Sequence, residues 1–112
     1  MPSTTTADKV IKAFLNKKHM SIKQYHSNGI NFTLYESTMA THTDNGMLLY
    51  FIRDSQTTRS TMKRLLRLAY GNEKLEVTFV ANNEGMLIGL FIDGAPHYFP
   101  APFEHIVSPR EE

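Results

Sequence analysis

Apolar residues recur with a helical period in two stretches of this chain and alternate with polar ones through much of the rest. In the first stretch Ala7, Val10, Ile11, Phe14 and Leu15 fall at i, i+3, i+4, i+7 and i+8, which is one face of an amphipathic helix. Thr6 is placed to cap it, Asp8 sits in the first turn, and Lys12, Lys17 and Lys18 gather late, as the helix dipole prefers. The pattern predicts a helix over Ala7 to Lys18. At that length it needs a surface to dock on.

The second stretch, Asp54 to Gly71, is the clearest helix. Met62, Leu65, Leu66 and Ala69 share one arc with Thr58 beside them, while Arg59, Lys63 and Arg67 follow an i, i+4, i+8 line with Arg64 next to it. Asp54, Ser55 or Thr57 can cap its start, and Gly71 stands where a left-handed residue ends a helix.

Between and after the helices the period falls to two. Met20 to His26 alternates loosely, and Asn28-Gly29 is a strong hairpin signal because a tight turn needs positive φ there. Ile30, Phe32 and Leu34 alternate with Asn31, Thr33 and Tyr35 to make the returning strand. Ser37 to Thr43 is polar and uncharged, a short edge strand on this reading, and Asp44-Asn45-Gly46 turns the chain. Met47 to Ile52 is apolar on both faces, which suits a covered central strand. Leu75, Val77, Phe79 and Ala81 alternate cleanly. Met86 to Ile92 is again apolar throughout, and Gly89 inside it marks a bulge or a close backbone approach. A short strand follows at His97 to Phe99, and Phe99, Phe103 and Ile106 anchor an extended proline-rich end.

These elements predict an α+β fold: one largely antiparallel sheet of six or seven strands with two helices packed on one face. Residues 7–53 and 57–99 share an α-β-β-β order without matching side chains in register. The length suits a single domain over 1–112, with 1–5 and 108–112 as loose tails. The uncharged Ser37–Thr43 segment lacks the lysines that guard a sheet edge, which predicts edge pairing in a homodimer.

Charge sharpens one feature. The chain carries 12 Lys+Arg against 11 Asp+Glu, and from Ser55 to Asn72 there are four bases and no acid. The slight positive balance therefore comes from the second helix alone. Such a face ordinarily meets water, with light pairing to Glu73, Glu76 or Glu36. It also offers Arg59, Lys63, Arg64 and Arg67 as a cationic surface for phosphate or for an acidic partner.

Candidate chemistry is thin. Nucleotide, phosphate, zinc-protease, calcium and serine-hydrolase motifs are absent, and with no cysteine there is neither a disulfide nor a thiolate nucleophile. The five histidines lack the spacing of a metal site, so no catalytic residue, metal or cofactor is assigned. His97, Tyr98, Glu104 and His105 form a possible secondary surface. Phe32, Phe51, Phe79 and Phe91 read as core rather than as stacking platforms. The cysteine-free composition and the absence of an apolar leader or a long apolar run fit a cytoplasmic protein.

The expectation is a small non-enzymatic interaction protein, a regulator or inhibitor like the accessory proteins of phages and plasmids. It would dock on a larger protein or nucleoprotein through the cationic helix face. The alternative is direct DNA or RNA binding by the same helix, and the third is a small hydrolase with its site near His97 and His105.

Overall fold

Both helices form where the apolar period is helical. The structure, a computed structural model, describes residues 6–44 and 46–104. The two expected tails, Asn45 of the second turn, His105 and the anchor Ile106 lie outside the described residues. Helix α1 is Thr6–Leu15 and helix α2 is Gln56–Tyr70.

Helix α2 begins and ends where its sequence signals lie. Ser55 is the N-cap, its hydroxyl accepting from the Thr58 N–H at 3.0 Å. Gly71 adopts φ 66° just past the last turn. The N–H groups of Gly71 and Asn72 return to the carbonyls of Leu68 and Arg67 at 3.3 and 3.0 Å, which is a Schellman closure.

Helix α1 stops three residues before the expected Lys18. The same closure occurs there, with the Lys17 and Lys18 N–H groups on the Phe14 and Ala13 carbonyls, but the left-handed position, φ 60°, is filled by Lys17. A lysine gives no sequence signal for that conformation. It also strains the backbone, since a Cβ costs about 1–2 kcal/mol in the left-handed region. Lys17→Gly should therefore raise stability by about 0.5–1 kcal/mol after glycine's greater chain entropy is set against the relief. An upward shift of the urea midpoint at constant slope would verify this, and a fall would refute it.

The chain is α+β, and every strand pair among the described residues is antiparallel. Strands β1 (His19–Ile22), β2 (Tyr25–Asn28), β3 (Asn31–Leu34), β4 (Ser37–His42) and β5 (Gly46–Leu49) form a meander. Strand β10 (Ala101–Glu104) returns from the far end of the sequence to complete a six-stranded sheet beside β5. The expected single sheet is joined by a second, smaller one. In it β8 (Met86–Ile92) pairs on one side with β7 (Val77–Ala81) and on the other with β6 (Ile52–Arg53) and β9 (Ala95–Tyr98).

The expected strand Met47–Ile52 is thus two strands in two sheets. The chain crosses at Tyr50 and Phe51, and Phe51 is exposed rather than core. The expected strand from Met20 to His26 is also two, β1 and β2, folded at Lys23, which has φ 55°. Ser37–Thr43 is expected at an edge. It contains β4, which is hydrogen-bonded to β3 and to β5, so it presents no edge to a second copy. That removes the ground on which a homodimer was expected. Gly89 meets both halves of its expectation: a Cβ there would lie 2.6 Å from the His97 carbonyl oxygen, and the β7–β8 register shifts next to it.

One core joins these layers. Val10, Ile11 and Phe14 of α1 meet Met62, Leu65, Leu66 and Ala69 of α2, and all seven are shut off from solvent. Phe32, Leu34, Met47, Leu49 and Leu87 come from the sheets, and Phe99 and Phe103 are buried anchors as expected.

Candidate cationic groove between α2 and β7

Helix α2 buries one arc, so its other arc must face elsewhere. It does not point squarely into water. Arg59, Lys63, Arg64 and Arg67 form one wall of a groove of about 770 Å³, and Val77, Thr78 and Phe79 of β7 form the other. Asp54 is the one carboxylate among the lining residues.

Three of the four cations are already engaged. Arg59 grips Asp54 with two bonds, Nε to Oδ1 at 2.7 Å and Nη2 to Oδ2 at 2.9 Å, and its guanidinium lies 5.6 Å from the centre of the Phe79 ring. The bond from Arg59 holds the Asp54 carboxyl below its ordinary pKa despite the opposing effect of burial. The stabilisation from this pair is present above the unfolded carboxylate pKa and is lost as the pH falls through the lowered one.

Arg64 reaches back to the first helix. Its Nε and Nη2 donate to Asp8 Oδ1 and Oδ2 at 3.0 and 2.9 Å, while Nη1 donates to Glu73 Oε1 at 2.6 Å. The Asp8 bonds are the main reason its pKa lies above the ordinary arginine value. Arg67 donates from Nε to the Leu75 carbonyl at 3.0 Å. Among the described residues, Lys63 alone of the four has no ion-pair or hydrogen-bond partner. The expected light pairing of this face is therefore met at Glu73, while Asp54 and Asp8 supply stronger clasps than the spacing along the chain disclosed.

The four cations are brought together as the wheel placed them. Of the secondary surface, the described residues show the side chains of His97 and Tyr98 alone. His97 and Tyr98 lie on β9, and the half-buried His97 ring packs on Phe103 with centroids 5.0 Å apart. Tyr98 is exposed, Glu104 closes β10, and His105 lies outside the described residues. His42 is also structural. Its ring stacks on Phe14 at 4.3 Å and its Nε2–H donates to the Phe14 carbonyl at 2.6 Å, closing the end of α1. No group of three His, Asp or Glu side chains among the described residues is arranged to hold a metal ion. No helix among them is long and apolar enough to cross a membrane.

What the sequence reading missed is the second wall. The alternation of Leu75 to Ala81 marked a strand, but nothing in it says that the strand has one neighbour only. Strand β7 pairs with β8 and with no other strand among the described residues. Comparison with protein-family models, curated protein sequences and solved structures finds no match to this chain.

Proposed function

We propose that this chain is a small non-enzymatic interaction protein, a regulator or inhibitor that docks on a larger macromolecule through the α2–β7 groove. The observation that carries the reading is that groove's lining: four cationic side chains against one carboxylate, beside a strand edge with no partner strand among the described residues. Aligned arginines and lysines with long stems present charge without burying it, and exposed charge of one sign steers an opposite partner into place. An acidic protein surface suits the groove better than nucleic acid, because the Phe79 ring that could stack a base is half-buried with the Arg59 guanidinium over it. The cysteine-free chain suits a cytoplasmic setting.

The test is retention on immobilised polyglutamate and on single-stranded DNA at two salt concentrations, for the natural chain and for Lys63→Glu/Arg67→Glu. The natural chain should be held by polyglutamate and released by salt, and the variant should elute early. The variant should lose no more stability than the single Arg67–Leu75 hydrogen bond, about 1 kcal/mol. Equal retention of the two proteins would overturn the reading. Retention by DNA alone, with a steep salt dependence, would transfer the same surface to nucleic acid.

A further inference from the structure

Strand β7 turns half of its backbone groups toward the cations. The Asp93 N–H donates to the Glu76 carbonyl at 3.0 Å, so Glu76, Thr78 and Val80 direct their backbone groups to β8. Alternation along an antiparallel strand then sends those of Leu75, Val77 and Phe79 the opposite way. The Leu75 carbonyl bears this out, since it accepts from Arg67 Nε. Arg67 stands there in the place of a neighbouring strand. Beyond it, the N–H and C=O groups of Val77 and Phe79 have no hydrogen-bond partner among the described residues.

The helix and the strand run antiparallel with matched lengths. Arg59 lies over Phe79 and Arg67 bonds Leu75. The eight helical steps between the arginines rise about 12 Å, and the four strand steps from Leu75 to Phe79 span about 13 Å. Arg59, Lys63 and Arg67 therefore recur about every 6 Å, while alternate side chains of an extended strand recur about every 6.6 Å. A strand added beside β7 would meet this ladder with every second side chain.

We infer that the groove accepts an extended acidic segment of a partner protein by strand addition to β7. The backbone of that segment pairs with Val77 and Phe79, and carboxylates at alternate positions meet Lys63 and Arg67. The inference rests on the proposed docking role of this face and specifies its ligand. Main-chain pairing supplies affinity in such additions and alternate side chains supply the choice of sequence. Lys63 carries the largest share, because Arg59 and Arg64 are held by Asp54, Asp8 and Glu73. Nucleic acid could satisfy the cations but could not reproduce the backbone pairing.

The experiment uses the whole chain and two heptapeptides of one composition. One is acetyl-Thr-Glu-Val-Glu-Thr-Glu-Val-amide, with its glutamates alternating. The other is acetyl-Glu-Thr-Val-Glu-Thr-Val-Glu-amide, in which no two glutamates stand two positions apart. Affinity is followed by amide chemical shifts, and amide hydrogen exchange is read at each residue of β7. The alternating peptide should bind more tightly by about an order of magnitude, the scale of one or two charge-assisted bonds. It should slow exchange at Val77 and Phe79, while Thr78 and Val80, already paired with β8, stay as they were. Lys63→Glu should weaken it by a similar factor. Equal binding of the two peptides, binding without protection at Val77 and Phe79, or no binding of either would overturn the inference. The wider docking role falls separately, if Lys63→Glu/Arg67→Glu is still retained on polyglutamate like the natural chain.

Discussion

Leu65→Ala should unfold this protein far more readily than any change on its surface. Leu65 has no solvent exposure and lies on the buried arc of α2 between Met62 and Ala69, against Val10, Ile11 and Phe14 of α1. Truncation removes buried methyl groups and leaves a cavity that a core assembled from two helices and two sheets refills only in part. The expected loss is about 2–5 kcal/mol, the range for buried leucines. Leu66, equally buried, should behave alike. Urea denaturation checks both: a midpoint that moves by less than the resolution of the measurement would place the residue outside the core. The double variant should fall short of the sum, because neighbouring cavities share walls.

That prediction could be made from the sequence because three local signals agree over α2: period, caps and charge. Elements were legible wherever the decisive information was local. They were misjudged where it was not. Lys17, Lys23, Tyr35 and Glu36 all take positive φ without being glycine or asparagine, at φ 60°, 55°, 52° and 71°. Backbone hydrogen bonds and the strand pairing on either side hold these exposed turns where the residue types alone argue against them. This is why the sequence pattern alone carries α1 on to Lys18 and leaves the turn at Lys23 unmarked. The division into two sheets is hidden for a related reason. Met47 to Ile52 reads as one apolar run, and only the long-range pairing of β10 with β5 and of β6 with β8 shows that it serves two sheets.

The candidate site was legible in the same partial way. Four cations on one arc follow from spacing. Their availability does not, because it depends on partners distant in the chain. Arg64 finds Asp8 across 56 positions, and β7 comes to lie beside α2 only through its pairing with β8. On a helical wheel Arg59, Lys63 and Arg67 make one line with Arg64 next to it. In space they differ in kind: Arg59 is clasped to the helix start, Arg64 ties the two helices together, Arg67 holds the strand edge, and Lys63 has no ion-pair or hydrogen-bond partner among the described residues.

The tie between the helices yields the second large effect. Asp8→Ala should lower stability by about 1–3 kcal/mol, whereas Lys63→Ala, on the same helix as Arg64, should change it little. The Asp8 side chain is 11% exposed and receives two guanidinium bonds, so its removal leaves Arg64 partly desolvated with Glu73 alone. A fully buried pair would cost more, about 3–5 kcal/mol. Arg64 keeps 29% of its side-chain surface in water, which places the expectation below that range. A double-mutant cycle with Arg64→Ala isolates the pair from the lost packing of the arginine stem. The coupling should be positive and should shrink as salt is raised, though less than for a fully exposed pair, because Asp8 is shielded between α1 and α2. Coupling indistinguishable from zero would mean that the apolar seam alone docks the helices.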